Sequence, residues 1–195
     1  LDVGQGTAVL LSTGGRTLLY DSGPGDGAEG NLVASVMAPA LQRSAAGAPE
    51  RVIISHGDLD HAGGMAALRK RYPHADYRAN LPNAPDGTAT CSTPLQWRWN
   101  SVDFEVLHPT ASLPYLGNDS SCVLSIRQGN RGILLSGDIS ATVERRLIRE
   151  GLAAHEMLLV PHHGSKTSSS DEFVAAVRPR IAVATAGLGN RFGFP

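Results

Sequence analysis

No run of apolar residues in this chain approaches the roughly 20 that a helix needs to cross a bilayer, so no membrane span is expected within it. No basic stretch followed by an apolar one opens it, so no signal peptide is visible. Cysteine is scarce. Cys91 and Cys122 stand in unlike contexts without a CxxC spacing, which argues against a cysteine metal site. They allow at most one bridge, and the sequence leaves open whether they form it or stay as two thiols. Charge of one sign is lacking as well: a formal net charge of −1 excludes a molecule that captures nucleic acid by its overall field. Lysine is nearly absent, with Lys70 and Lys166 beside fifteen arginines. The basic residues gather in LRKRY at 68–72 and ERRLIR at 144–149. Solvated helix faces are the first reading of such clusters, and a phosphate-guiding role the second.

What is present points to a globular protein. Its 195 residues, 42% of them apolar, suffice for one domain with a sizeable core. The opening LDVGQG and the closing NRFGFP are abrupt, so residues 1–195 are expected to be a single domain excerpted from a longer polypeptide and truncated at both ends. TAVLLST and RTLLYDSG around Gly14-Gly15 predict a hairpin. NLVASVMAPALQRS (31–44) has helical spacing weakened by Pro39, RVIIS is a short strand, and AALRKRY is a helix that Pro73 ends. Residues 79–95 read as a loop. Two strands around Asn100-Ser101, a hairpin turning at GNRG, and a helix over ATVERRLIREG follow. The strand EMLLV then leads to a helix capped by Ser170 and a last strand, RIAVATAG. Helices covering sheets on both faces predict a layered α/β sandwich.

The chemistry concentrates in SHGDLDHAGG, residues 55–64. His56, Asp58, Asp60 and His61 crowd the exit of an apolar strand, where a hydrophobic core would not tolerate them unpaired. If the chain stays extended, His56, Asp58 and Asp60 share one side, with His61 at the turn into a helix. Such a group can hold two ions, His56 and Asp58 on one, Asp60 and His61 on the other. ILLSGD puts Asp138 at another strand exit, LLVPHHGS puts His162 and His163 at a third, and TLLYDSG puts Asp21 at a fourth. Taken singly, His61 or Asp60 reads as a helix cap; the joint pattern reads as a dinuclear site bridged by a carboxylate. His74, His108 and His155 lack comparable neighbours and read as structural or surface residues.

These motifs resemble the metallo-β-lactamase superfamily, whose usual signature is HxHxDH. Within it the chain is similar to the extracytoplasmic domain of ComEC-type DNA-uptake (competence) channel proteins, through LDVGQG, SHxDxDHxGG, NDSSCVL, LLSGD and PHHGSKTSSS. The resemblance implies a four-layer αββα sandwich and a metal-dependent nuclease that hydrolyses phosphodiesters of one strand of transforming DNA. It also implies a place on the periplasmic face of the bacterial inner membrane. The expected partners are DNA, the membrane channel and other domains of the parent polypeptide, with no lipid contact from this segment. Carried over, His56 and Asp58 bind one ion, and Asp60, His61 and one of His162 and His163 bind the other, with Asp138 between them. The remaining histidine contacts the scissile phosphate or assists the leaving group, and the choice between the two stays open. Asp21 is expected to accept a hydrogen bond from a ligating histidine. Ser165, Lys166 and Thr167 bind an adjacent phosphate or form a polar loop.

Three departures bear on this expectation. Asp58 stands where most of the superfamily has histidine. The histidine between the first cluster and the bridging aspartate is absent, leaving Asn118 and Ser121 in that part of the chain. Thr7 replaces the aspartate that commonly follows GQG. Carboxylate for imidazole hardens the donor set, so Mn²⁺ is favoured and Zn²⁺ is its rival. Two other functions fit the same residues: a phosphoesterase acting on a small-molecule or cell-wall phosphodiester, and a non-catalytic module that guides DNA through the arginine clusters.

Overall fold

A computed structural model describes residues 1–25 and 32–195. The strands β1 (Val9–Thr13) and β2 (Arg16–Tyr20) form the expected antiparallel hairpin, turned by Gly14 and Gly15 at φ of +53° and +81°. Parallel to β2 run β3 (Arg51–Ile54), β4 (Asp76–Ala79) and β5 (Ala89–Thr90), completing a five-stranded sheet in sequence order. The second sheet has six strands: β6 (Gln96–Trp99), β7 (Val102–His108), β8 (Val123–Gln128), β9 (Arg131–Leu135), β10 (Met157–Leu159) and β11 (Ile181–Val183). Its first four strands are antiparallel, and β9, β10 and β11 run parallel.

Period-two alternation sorts side chains to the faces of each sheet. Leu18, Tyr20 and Ile53 of the first sheet meet Phe104, Leu124, Leu135 and Leu159 of the second in the central core. From the opposite face of the first sheet, Leu19, Val52 and Ile54 pack under helical residues Val33, Met37, Met65 and Leu68. Val123, Leu134 and Leu158 do the same beneath Val143, Leu147, Phe173 and Val177. The layers are therefore helix, sheet, sheet, helix, and the expected αββα sandwich is what forms.

The helices are α1 (Ala38–Arg43), α2 (Leu59–Ala62), α3 (Met65–Arg71), α4 (Ala141–Arg149) and α5 (Asp171–Val177). Pro39 acts upstream of itself. A π-turn over Val33–Met37 leads into α1, with Ala38 N–H donating to Val33 O. A proline ring crowds the carbonyl four residues back, and a wider turn relieves the clash. Asn31, the first residue of the helix read from the sequence, lies outside the described residues. Ser170 caps α5 by accepting from Phe173 N at 3.3 Å. Within the expected loop of 79–95, β5 adds a two-residue edge strand, and β4 just before it is a strand the sequence reading missed.

Cys91 and Cys122 are joined, which settles the choice between a bridge and two thiols. The bond ties the edge of the first sheet to the entry of β8, across 31 residues of chain. Closing a loop of that size stabilises a fold by about 2–4 kcal/mol. Replacing both cysteines by serine should lower the urea midpoint accordingly; an unchanged midpoint would show that the bridge constrains nothing.

Candidate metal centre

Five strands leave their sheets on the same edge of the sandwich, and each delivers polar side chains as it does so. Asp21 follows β2, Ser55 and His56 follow β3, Asp138 follows β9, His162 and His163 follow β10, and Thr185 follows β11. The parallel runs β2–β3 and β9–β11 make this possible, because parallel neighbours end on the same side. Several exits turn through the left-handed region: Asp21 at φ +59°, Gly137 at +55°, His162 at +51° and His163 at +56°. Strain of this kind persists only where surrounding contacts hold it. At Gly137 a side chain is excluded, since a Cβ would stand 2.7 Å from Ser121 Oγ and 3.2 Å from Ser55 Cβ. Gly63 likewise admits no Cβ against the backbone of Gly25, so the α2–α3 corner packs directly behind the site.

The chain leaves the extended form sooner than alternation predicts. Asp58 is already the residue before α2, so Asp60 and His61 lie inside that helix. The result is a gradient of burial: His56 and His61 are fully buried, the Asp60 side chain is 30% exposed, and that of Asp58 is 55% exposed. His61 sits at the middle. Its Nε2 is 3.1 Å from Asp138 Oδ1 and 3.2 Å from His163 Nε2. His163 Nε2 reaches Asp60 Oδ2 at 3.1 Å and Asp138 Oδ2 at 3.5 Å. His56 Nε2 lies 3.8 Å from Asp58 Oδ2. Donor atoms of Asp60, His61 and His163 fall within 4.8 Å of one another, and so do those of His56, His61 and Asp138.

Of the adjacent pair, His163 rather than His162 enters this cluster. His162 keeps 27% of its side chain exposed, with Nε2 3.8 Å from Asp138 Oδ2 and 3.3 Å from Asn118 Nδ2. Thr167 Oγ1 lies 3.3 Å from its Nδ1. Ser121 Oγ accepts from Asp138 N at 3.0 Å and stands 3.3 Å from His56 Nδ1. Ser165 turns inward to its own loop, its Oγ 3.0 Å from Thr167 Oγ1, and Lys166 is exposed. The adjoining cleft, about 800 Å³, is lined by Asp58, Asp60, Asp138, His162 and His163 together with Gln5, Arg191 and Phe192, whereas Ser165 and Lys166 lie outside that lining. His108 and His155 are buried elsewhere on Asp119 O, and on Ser125 Oγ and Ala153 O, while His74 is exposed.

Hydrogen bonds fix which nitrogen of each clustered ring faces inward. His61 Nδ1–H donates to Asp21 Oδ2 at 2.7 Å. His163 Nδ1–H donates to Thr185 O at 3.0 Å. Ser55 Oγ–H donates to Asp21 Oδ2 at 2.8 Å, so its oxygen accepts from His56 Nδ1–H at 3.0 Å. In their neutral forms all three rings therefore turn a bare Nε2 lone pair towards Asp60 and Asp138. Lone pairs and carboxylates facing one another repel unless a cation lies among them. His56 Nε2, fully buried and with no hydrogen-bond partner among the described residues, is the atom most in need of one. The donor set thus fits divalent metal.

The electrostatic surroundings of these groups point the same way. Burial works against charge on His61, but Asp21 and Asp138 outweigh it and hold the pKa well above 6.5. Burial, helped by the charge of His61, holds His56 below 6.5. Burial would raise Asp138, yet the hydrogen bond from His61 and the charges of the clustered imidazoles bring it down to about 2. Asp60 is lowered in the same way against its own burial, chiefly by its bond from His163. The carboxylates that favour positive charge on His61 would equally favour a cation set among these side chains.

Four residues that hold this arrangement escaped the sequence reading, Ser55 with its bonds to Asp21 and His56 among them. Thr185 receives His163 Nδ1, and its hydroxyl lies 2.9 Å from that of Thr7, the residue standing where an acid was expected. Asp119 ties the NDSS loop to the exit of β9 by accepting from Ser140 N at 2.8 Å and Ser140 Oγ at 3.0 Å. Glu144, fully buried on α4, accepts from Ser169 N and Ser170 N beyond the histidine pair. Thr185 had one legible signal, its place just past an apolar strand; the two acids had none.

A helix–sheet–sheet–helix sandwich with clustered His and Asp at strand exits is matched by the sequence profile of the metallo-beta-lactamase superfamily over residues 1–187. The chain belongs to that superfamily. Among curated relatives, competence protein ComA of Neisseria gonorrhoeae is 36% identical over the whole chain, which covers 27% of its length. Recombination protein 2 of Haemophilus influenzae is also 36% identical over the whole chain, covering 25%. The chain thus spans about a quarter of the length of these relatives. Among solved structures, human tRNase Z, short form, aligns with 94% of this chain and 91% of its own at a TM-score of 0.54 and 14% identity, a likeness of fold alone. The superfamily fold implies divalent metal, as the donor set does. Among the described residues, no helix of this metallo-beta-lactamase domain is long and apolar enough to cross a membrane.

Proposed function

We propose that residues 1–195 form one metallo-β-lactamase-like domain of a competence membrane protein, and that it is a metal-dependent nuclease cutting DNA during uptake. The convergence of three imidazole lone pairs and two carboxylates on one point beside an open cleft carries this reading. Asp60, His61 and His163 would hold one ion and His56 and Asp58 a second, with Asp138 within reach of both. Divalent ions supply Lewis-acid activation of water and neutralise charge on a phosphodiester. The chain's own residues do the rest. Asp21, Ser55 and Thr185 fix the ligating rings in one tautomer and orientation. His162, partly exposed at the cleft wall and steadied by Asn118 and Thr167, contacts the scissile phosphate or holds a proton for the leaving oxygen. With Asp58 at a position usually taken by histidine, the donor set favours Mn²⁺ over Zn²⁺. The Cys91–Cys122 bridge favours an oxidising compartment, consistent with the periplasmic face of an inner membrane.

The test starts from protein stripped of metal with EDTA. Adding Mn²⁺ should restore shortening of an end-labelled DNA strand, with little restored by Zn²⁺. Cleavage with Zn²⁺ alone refutes the preference. Hydrolysis of a chromogenic phosphodiester with no shortening of DNA in any metal refutes the nuclease.

A further inference from the structure

One wall of the cleft is built by the chain beyond β11, and a single side chain organises it. The Asn190 amide donates to Gly187 O at 3.0 Å and to Phe194 O at 2.8 Å, while its oxygen accepts from Phe192 N and Phe194 N, both at 3.1 Å. Gln5 of the GQG motif anchors the start of this turn by accepting from Gly187 N at 3.0 Å. The turn sets the rings of Phe192 and Phe194 nearly parallel, with centroids 5.3 Å apart and planes at 14°. Arg191 rests its guanidinium 4.7 Å from the Phe192 centroid. Phe192 is 50% exposed and Phe194 half-buried, and the pair lines the cleft beside Pro24 and Leu59 as well as the charged and polar groups of Asp58, Asp60 and Asp138. Leaving that surface wet costs free energy, which a flat apolar ligand recovers.

The shelf lies next to the site. The Phe194 and His162 ring centroids are 6.0 Å apart, so a group resting on the aromatic pair belongs to the nucleotide at the metal cluster or to its neighbour. Aromatic faces flanked by arginine are how proteins hold unpaired bases: the rings stack with any base, and the guanidinium attracts the backbone. Paired bases keep their faces inside the duplex and cannot reach such a shelf. We propose that Phe192 and Phe194, with Arg191 beside them, form a base-stacking platform that takes an unpaired base of single-stranded DNA and sets the adjoining phosphodiester at the His/Asp cluster. This rests on the nuclease reading and adds to it the form of the substrate and how it is positioned.

Fluorescence anisotropy of the full chain in EDTA tests it without cleavage. The probes are a labelled single strand, a strand of equal length with abasic tetrahydrofuran sites, and the duplex. The base-bearing strand should bind at least about 10-fold tighter than the abasic one. Phe192→Ala with Phe194→Ala should remove that difference while leaving duplex binding unchanged, and tyrosine at both positions should keep it. Equal affinity of the unaltered chain for the two strands overturns the platform, a result that needs no variant to fold. Equal losses for single strand and duplex in the alanine variant overturn it as well. Mn²⁺-dependent cleavage of the abasic strand reports on the chemistry separately. Cutting without base preference removes the platform alone; base preference without cutting removes the nuclease alone.

Discussion

Asp138→Ala should reduce Mn²⁺-dependent DNA cleavage by more than about 1000-fold, because even partners one shell out from a metal are typically worth 10–100-fold. Asp138 is 4% exposed and is the carboxylate that both His61 and His163 face, at 3.1 and 3.5 Å. Its removal takes an oxygen donor from both proposed ions, whereas Asp60→Ala takes one from a single ion. Calorimetric titration with Mn²⁺ should therefore lose most binding in the first variant and about half the stoichiometry in the second. The fold should survive both. Losing Asp138 leaves His61 and His163 without the carboxylate they face, a cost of about 1–3 kcal/mol, less than the loss of the thrice-bonded Asp21. Near-normal cleavage by both variants would remove the metal centre as the source of activity.

The cluster could be read from the sequence because each of its motifs sits where an apolar strand gives way to polar residues, and that transition is visible in one dimension. ILLSGD, LLVPHHGS and RVIISHGD all announce themselves in this way. The layers were legible for a related reason: β2 and β3 alternate between the central core and the helical face. What stayed hidden depends on contacts between distant segments. His162 and His163 both adopt left-handed backbone at the same strand exit, and it is His163 whose Nδ1 is held by Thr185, 22 residues away, with its Nε2 in the cluster. Asp119 and Glu144 looked like ordinary polar residues of a loop and a helix, yet each bonds a loop that carries the site. The strand β4 was missed because DYRA is short, and its alternation becomes clear only beside β3. Alternation puts Asp60 on the side of His56 and Asp58 only if the chain stays extended, and the start of α2 at Leu59 takes Asp60 into a helical turn instead.

Asp21→Ala should be the most destabilising single change around the centre, costing about 3–5 kcal/mol, the range for breaking a buried ion pair by removing one partner. Asp21 is fully buried. Its Oδ1 accepts from Ser55 N at 2.6 Å, and its Oδ2 accepts from Ser55 Oγ at 2.8 Å and His61 Nδ1 at 2.7 Å. Alanine leaves all three donors unmet. It also places a residue that disfavours left-handed backbone at φ +59°, a conformation that aspartate and asparagine tolerate. Asp21→Asn separates these contributions: it keeps the backbone preference and one acceptor oxygen while removing the charge that orients His61. Urea unfolding should therefore rank the chains wild type, then asparagine, then alanine. Affinity for Mn²⁺ should already fall about 10–100-fold in the asparagine variant. If the asparagine variant lost stability but bound metal as tightly as wild type, Asp21 would serve the fold alone, and the orientation of His61 would have to come from Ser55 and the packing around it.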